Sequence, residues 1–151
     1  MNGKLERLRT FSLFVVLSLF LVACAFIPKY YDPVAYSKIV TVKVEILTFY
    51  KSSFTKDLNV EETKKFNEKA ADIEVNLEIL YQYEFYKGPN NKNCTEQSKL
   101  LLDMYRDHIR DRAENGPWSE EHLKNQTDIM TKALNIVIET EQLKNKAEPP
   151  F

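Results

Sequence analysis

Tyr86-Lys87-Gly88-Pro89-Asn90 and Asn115-Gly116-Pro117-Trp118-Ser119-Glu120-Glu121 decide how this chain folds. In each stretch a glycine is followed directly by a proline. Glycine accepts the left-handed backbone just past a helix end, and proline cannot continue a helix. The two pairs therefore read as helix stops, and the segments around them read as helices.

Upstream of the first stop, Asn59 and Glu62 have the spacing of a capping box. Phe66, Ala70, Ile73, Leu77, Leu80 and Tyr81 then recur every three or four residues, as one face of a helix requires. This helix is expected to end at Lys87-Gly88. The next opens around Asn93–Thr95 and carries Leu101, Met104, Tyr105, Ile109 and Arg112. After the second stop, Ser119 is an N-cap, and Glu120 and Glu121 suit the positive end of a helix. Trp118 and Leu123 have the spacing of a hydrophobic staple. The seam that follows is Leu123, Met130, Leu134, Val137 and Glu141, widened by Ile129, Ala133 and Ile136.

The first helix is expected from Asp32-Pro33 to about Ser52, with Asp32 as cap and Tyr31 placed against Tyr36. Here Val40, Val42, Val44 and Ile46 also alternate with polar residues, a strand pattern. Tyr36, Ile39, Lys43, Ile46 and Tyr50 follow helical spacing instead. A lone strand would have no partner elsewhere in the chain, so helix is expected. The fold class is all-α: an antiparallel four-helix bundle over residues 33–146, with a frayed tail at 147–151. The other architecture is a helical hairpin that completes its core with a partner.

The chain has 151 residues, with 21 Lys+Arg against 22 Asp+Glu. No basic excess is present to neutralise phosphates, so nucleic acid is not expected as a partner. The three glycines lie at 3, 88 and 116, which excludes glycine-rich phosphate loops. No cofactor motif is present.

Charge is unevenly spread. Lys4, Arg7 and Arg9 precede Phe11–Ala23, thirteen residues without a charge. A basic start before a short apolar run is the pattern of a secretory signal. The run closes on Leu21-Val22-Ala23-Cys24, which resembles the lipobox of bacterial lipoproteins. The resemblance covers residues 1–24 only. It implies a signal peptide over 1–23, cleavage between Ala23 and Cys24, and a diacylglycerol thioether on Cys24. It also implies a short tether over 24–32. Ala25, where inner-membrane lipoproteins carry Asp, points to the outer membrane of a didermic bacterium, facing the periplasm. The alternatives are an ordinary cleaved signal and an uncleaved anchor. Extended through Ile27, the run has seventeen residues, near the lower limit for a membrane span.

Cleavage would remove three basic and one acidic residue, leaving 18 Lys+Arg, 21 Asp+Glu and a net charge of −3 over 128 residues. Several acyl chains would make the anchoring stable, where one gives only marginal binding. Phe26, Tyr30 and Tyr31 would then lie near the lipid headgroups.

Tyr81, Tyr83, Phe85 and Tyr86 crowd the end of the second helix. One seam cannot bury all four, and tyrosine is enriched at interfaces, so they form a candidate partner-binding patch. Cys94 is either a tolerated thiol or one that pairs with another molecule. His108 and His122 lack the Glu-x-x-His spacing of metal-binding bundles, with Tyr105 and Ser119 in the Glu positions. No metal site and no catalytic set is expected. The function expected is that of a lipid-anchored interaction or structural module of the cell envelope, with an envelope protein as partner and homo-oligomers possible. A ligand- or metal-binding bundle and a mobile-element exclusion or lysis lipoprotein are the alternatives.

Mass spectrometry of the mature N-terminus is expected to show an acylated Cys24, and Cys24→Ser is expected to abolish it. An unmodified Cys24, or a chain still starting at Met1, would overturn the lipid assignment.

Overall fold

The computed structural model describes residues 31–144. The signal segment, Cys24, Phe26, Tyr30 and the tail at 147–151 lie outside them. Four helices follow one another: α1 Pro33–Ser53, α2 Val60–Tyr86, α3 Lys92–Asn115 and α4 Glu120–Leu143. One 3-10 turn, Pro89–Asn91, leads into α3. Among the described residues there is no strand, and no helix is long and apolar enough to cross a membrane. The fold is an all-α four-helix bundle.

The capping residues act as their chemistry dictates. Asp32 Oδ1 accepts from the Val34 and Ala35 amides at 2.9 and 3.2 Å. Asn59 and Glu62 close a reciprocal capping box at 2.9 and 3.0 Å, and Ser119 Oγ accepts from His122 N at 3.1 Å. The rings of Tyr31 and Tyr36 lie 5.9 Å apart. Both helix stops hold glycines of positive φ, 87° at Gly88 and 82° at Gly116. Their ψ values, −174° and −163°, take them past the left-handed helical well into a region that is essentially glycine-only.

In α1 the buried positions are Ala35, Ile39, Val42, Ile46, Phe49 and Tyr50, a helical stripe. Val44, which alternation would bury, is 61% exposed. The expected seams of α2 and α4 form the core with Leu101, Leu102 and Tyr105 of α3. Two expectations fail: Ile129 and Ile136 do not widen the α4 seam but face solvent. They stand next to Met130 and Val137, about 100° round the helix from the Met130–Leu134–Val137 line, and of the three expected flanking residues Ala133 packs on the core.

Helix backbones approach only as neighbours in an up-down-up-down square, α1 on α2, α2 on α3, α3 on α4 and α4 on α1. The near end, where the chain enters α1, thus collects the end of α2, the start of α3 and the end of α4. The far end is an aromatic cluster of Tyr50, Phe54, Phe66 and Trp118, with ring centroids 4.4–5.9 Å apart among the contacting pairs. The Trp118 amide also donates to Phe54 O at 2.8 Å, joining the two loops there.

No atom lies within 4 Å of a Cβ built on Gly116, so alanine there would meet backbone strain and no clash. Gly116→Ala is expected to cost about 1–3 kcal/mol, read as a lower urea midpoint with an unchanged slope. A midpoint equal to wild type would contradict it.

Candidate functional site

Asp32 joins three helices at the near end. Besides capping α1, its Oδ2 accepts from Tyr83 Oη and from Lys87 Nζ, both at 2.8 Å. Its own amide donates to Glu141 Oε1 of α4 at 2.8 Å. Partial burial alone would raise the Asp32 carboxyl. The hydrogen bonds from Lys87, Tyr83 and the Ala35 amide outweigh it and hold the group at about 2. The bond to Asp32 is also the main reason that the Tyr83 hydroxyl is raised.

Behind Asp32 lies a buried polar cluster. Glu84 and Glu141 are each 1% exposed. Glu84 Oε1 accepts from Lys87 Nζ at 2.7 Å, and its Oε2 accepts from Asn91 Nδ2. Lys144, the C-cap of α4, donates to Glu141 Oε2 at 2.5 Å and to Asn91 Oδ1 at 2.8 Å, with Glu84 Oε2 at 4.0 Å. Burial would lower both ammonium groups. The bonds to Asp32 and Glu84 for Lys87, and to Glu141 and Cys94 for Lys144, keep both above the ordinary lysine value. Cys94, in the first turn of α3, completes the cluster, and burial pushes its thiol up. At 4% exposure its sulfur is out of reach of another molecule's thiol, which removes the intermolecular disulfide from the folded state.

The aromatic patch divides around this cluster. Tyr83 turns towards Asp32, with Lys87 Nζ 4.6 Å from its ring centroid, so it belongs to the polar network. Tyr81, Phe85 and Tyr86 instead line a groove of about 600 Å³ with Pro89, Lys92 and Lys99. Phe85 and Tyr86 are 53% and 81% exposed, with ring centroids 5.5 Å apart.

The two histidines meet at the far end around Trp118, at 5.3 and 4.7 Å between ring centroids. His108 Nδ1 bonds Tyr50 Oη at 2.7 Å, and burial lowers its pKa. Trp118 Nε1 donates to Asp111 Oδ2 at 2.6 Å. His108 and Tyr50 satisfy one another inside the core, while His122 and Asp111 lie part-exposed, with 3.6 Å between His122 Nε2 and Asp111 Oδ2. The charged face of α3 forms exposed ion pairs, including Arg106 with Glu74 and Glu78 and Arg110 with Asp107.

Sequence reasoning found Asp32 only as a cap and missed Glu84, Asn91 and Lys144. A signal existed: Glu141 stands in the core seam of α4, and Glu84 falls one turn after Leu80 on that of α2. No family model matches the chain, and neither the curated proteins nor the solved structures give a match.

The ordinary Asp32 value is 3.8 and the folded value about 2. Stability from its ionised form is therefore complete above about pH 4 and is lost as pH falls towards 2. Asp32→Asn, which keeps a capping oxygen, is expected to lower the thermal midpoint at neutral pH and to flatten its fall between pH 4 and 2. An unchanged acid limb would contradict this role.

Proposed function

We propose that this protein is a lipid-anchored component of a bacterial cell envelope whose bundle binds a protein segment close to the membrane. The observation that carries the reading is the groove under Phe85 and Tyr86, at the end of the bundle where the tether joins. From Cys24 to Asp32 the chain spans at most about 26–29 Å. A thioether anchor at Cys24 would therefore hold this end, and the groove with it, beside the lipid.

The occupant proposed is a short apolar or aromatic protein segment. The site is concave and flanked by Lys92 and Lys99, a shape that encloses side chains. A bilayer surface would be met by aromatics projecting from a convex face. Tyrosine and phenylalanine supply large contact area with few rotatable bonds, as interface anchors do. The ammonium groups of Lys92 and Lys99 on the rim of the groove pair with Glu96 and Asp103.

The test is site-specific photo-crosslinking in the intact cell. A crosslinker at position 86 is expected to give a discrete protein adduct, and one at position 60 on the far end is not. Phe85→Ala combined with a crosslinker at position 92 is expected to weaken the adduct. Equal labelling from both ends, or adducts to lipid alone, would count against the protein-binding reading.

A further inference from the structure

We propose that the buried cluster behind Asp32 is a site for one divalent transition-metal ion of the zinc class, held by Cys94, Glu84 and Glu141 and guarded by Lys144. Glu84 lies on α2, Cys94 on α3 and Glu141 on α4, and one donor atom from each lies within 4.8 Å of the other two. All three residues are at most 4% exposed. One thiolate and two carboxylates suit a borderline-soft divalent ion, with Zn–S near 2.3 Å and Zn–O near 2.0–2.2 Å. Each donor needs to close inwards by about 1 Å on those bond lengths, within reach of a glutamate rotation.

Two further observations bear on a cation here. The first is charge. Asp32, Glu84 and Glu141 face two ammonium groups, Lys87 and Lys144. Metal binding takes the proton from Cys94 Sγ to solvent and forms a metal–sulfur bond. The ion and the thiolate together add one positive charge, which replaces that of Lys144 as it leaves, so the buried carboxylates keep their compensation. The second is Ser98, one turn along the same face of α3 from Cys94. It is fully buried, and its Oγ has no hydrogen-bond partner. A metal-bound water in the fourth position would give it one.

Lys144 is the gate. Its ammonium group occupies the cation position now, bonded to Glu141 and Asn91. It is the C-cap of α4, and Leu143 beside it is 62% exposed. In the proposal it swings out, still protonated, as the metal enters. The donors stand at 84, 94 and 141, so no spacing motif marks them, and the expectation of no metal site rested on such motifs. The site is independent of what occupies the groove.

The experiment is Co²⁺ and Zn²⁺ titration of the full chain in detergent. Wild type is expected to bind one ion per chain, with a thiolate-to-cobalt charge-transfer band and release of one proton. Cys94→Ser is expected to lose the band and to bind zinc at least about 100-fold more weakly, the upper range for losing even an outer-shell partner. Cys24 is the same in both. Lys144→Met is expected to bind more tightly, because the competing ammonium is gone; it also serves if Cys94→Ser fails to fold. No cobalt band in wild type, or a zinc affinity unmoved by both variants, would overturn the proposal.

Discussion

Two glutamates with almost no exposed surface set the terms for this bundle. An ionised carboxylate taken out of water costs several kcal/mol unless a cation and hydrogen bonds replace the water, and removing one partner of a buried pair typically costs about 3–5 kcal/mol. Glu84 and Glu141 sit on α2 and α4, helices that do not touch by backbone. Their partners therefore bridge the diagonal: Lys87 and Asn91 on one side, Lys144 on the other, Asp32 across the front. A shift of α4 by one turn would take Glu141 from the Asp32 amide and Lys144 from Asn91. The polar end thus fixes the register of the helices in a way that apolar packing, which tolerates sliding, does not.

The other diagonal is bridged differently. Tyr50 of α1 reaches His108 of α3 through a hydrogen bond, surrounded by the rings of Phe54, Tyr105 and Trp118. Tyr105 in turn donates to Ala70 O of α2 at 3.1 Å. The molecule is consequently two-ended. One end is a mostly aromatic plug that closes two loops, and the other is an ionic cluster that gathers four helix ends beside an open groove. Burial of the large rings contributes about 1.5–3 kcal/mol each, so bulk stability resides mainly in the plug and the seams. Specific geometry resides at the ionic end.

Local chemistry made much of this legible. Glycine–proline pairs, an Asn–Glu capping box and a serine cap act through neighbours within a few residues, so their spacing carries their meaning. The helical stripe of α1 was harder, since β-branched residues suit either period, and only its packing on α2 and α4 selects Val42 over Val44. The site was legible in part. An aromatic surplus at the end of α2 can be counted, but which ring turns inward cannot. Tyr83 is claimed by Asp32, fifty-one residues away, and no local rule announces that. Glu84, Cys94, Glu141 and Lys144 come together only through topology. Charged residues at seam positions were the one trace of it.

The position of Asp32 has a mechanical consequence. A helix pulled from a free first residue peels away turn by turn, breaking one bond at a time. Here the residue that would receive a pull from the N-terminal side is bonded to α2 through its carboxylate and to α4 through its amide. Tension along the preceding chain is therefore shared among three helices at once, and is borne as shear on the whole bundle end and not as unzipping of α1.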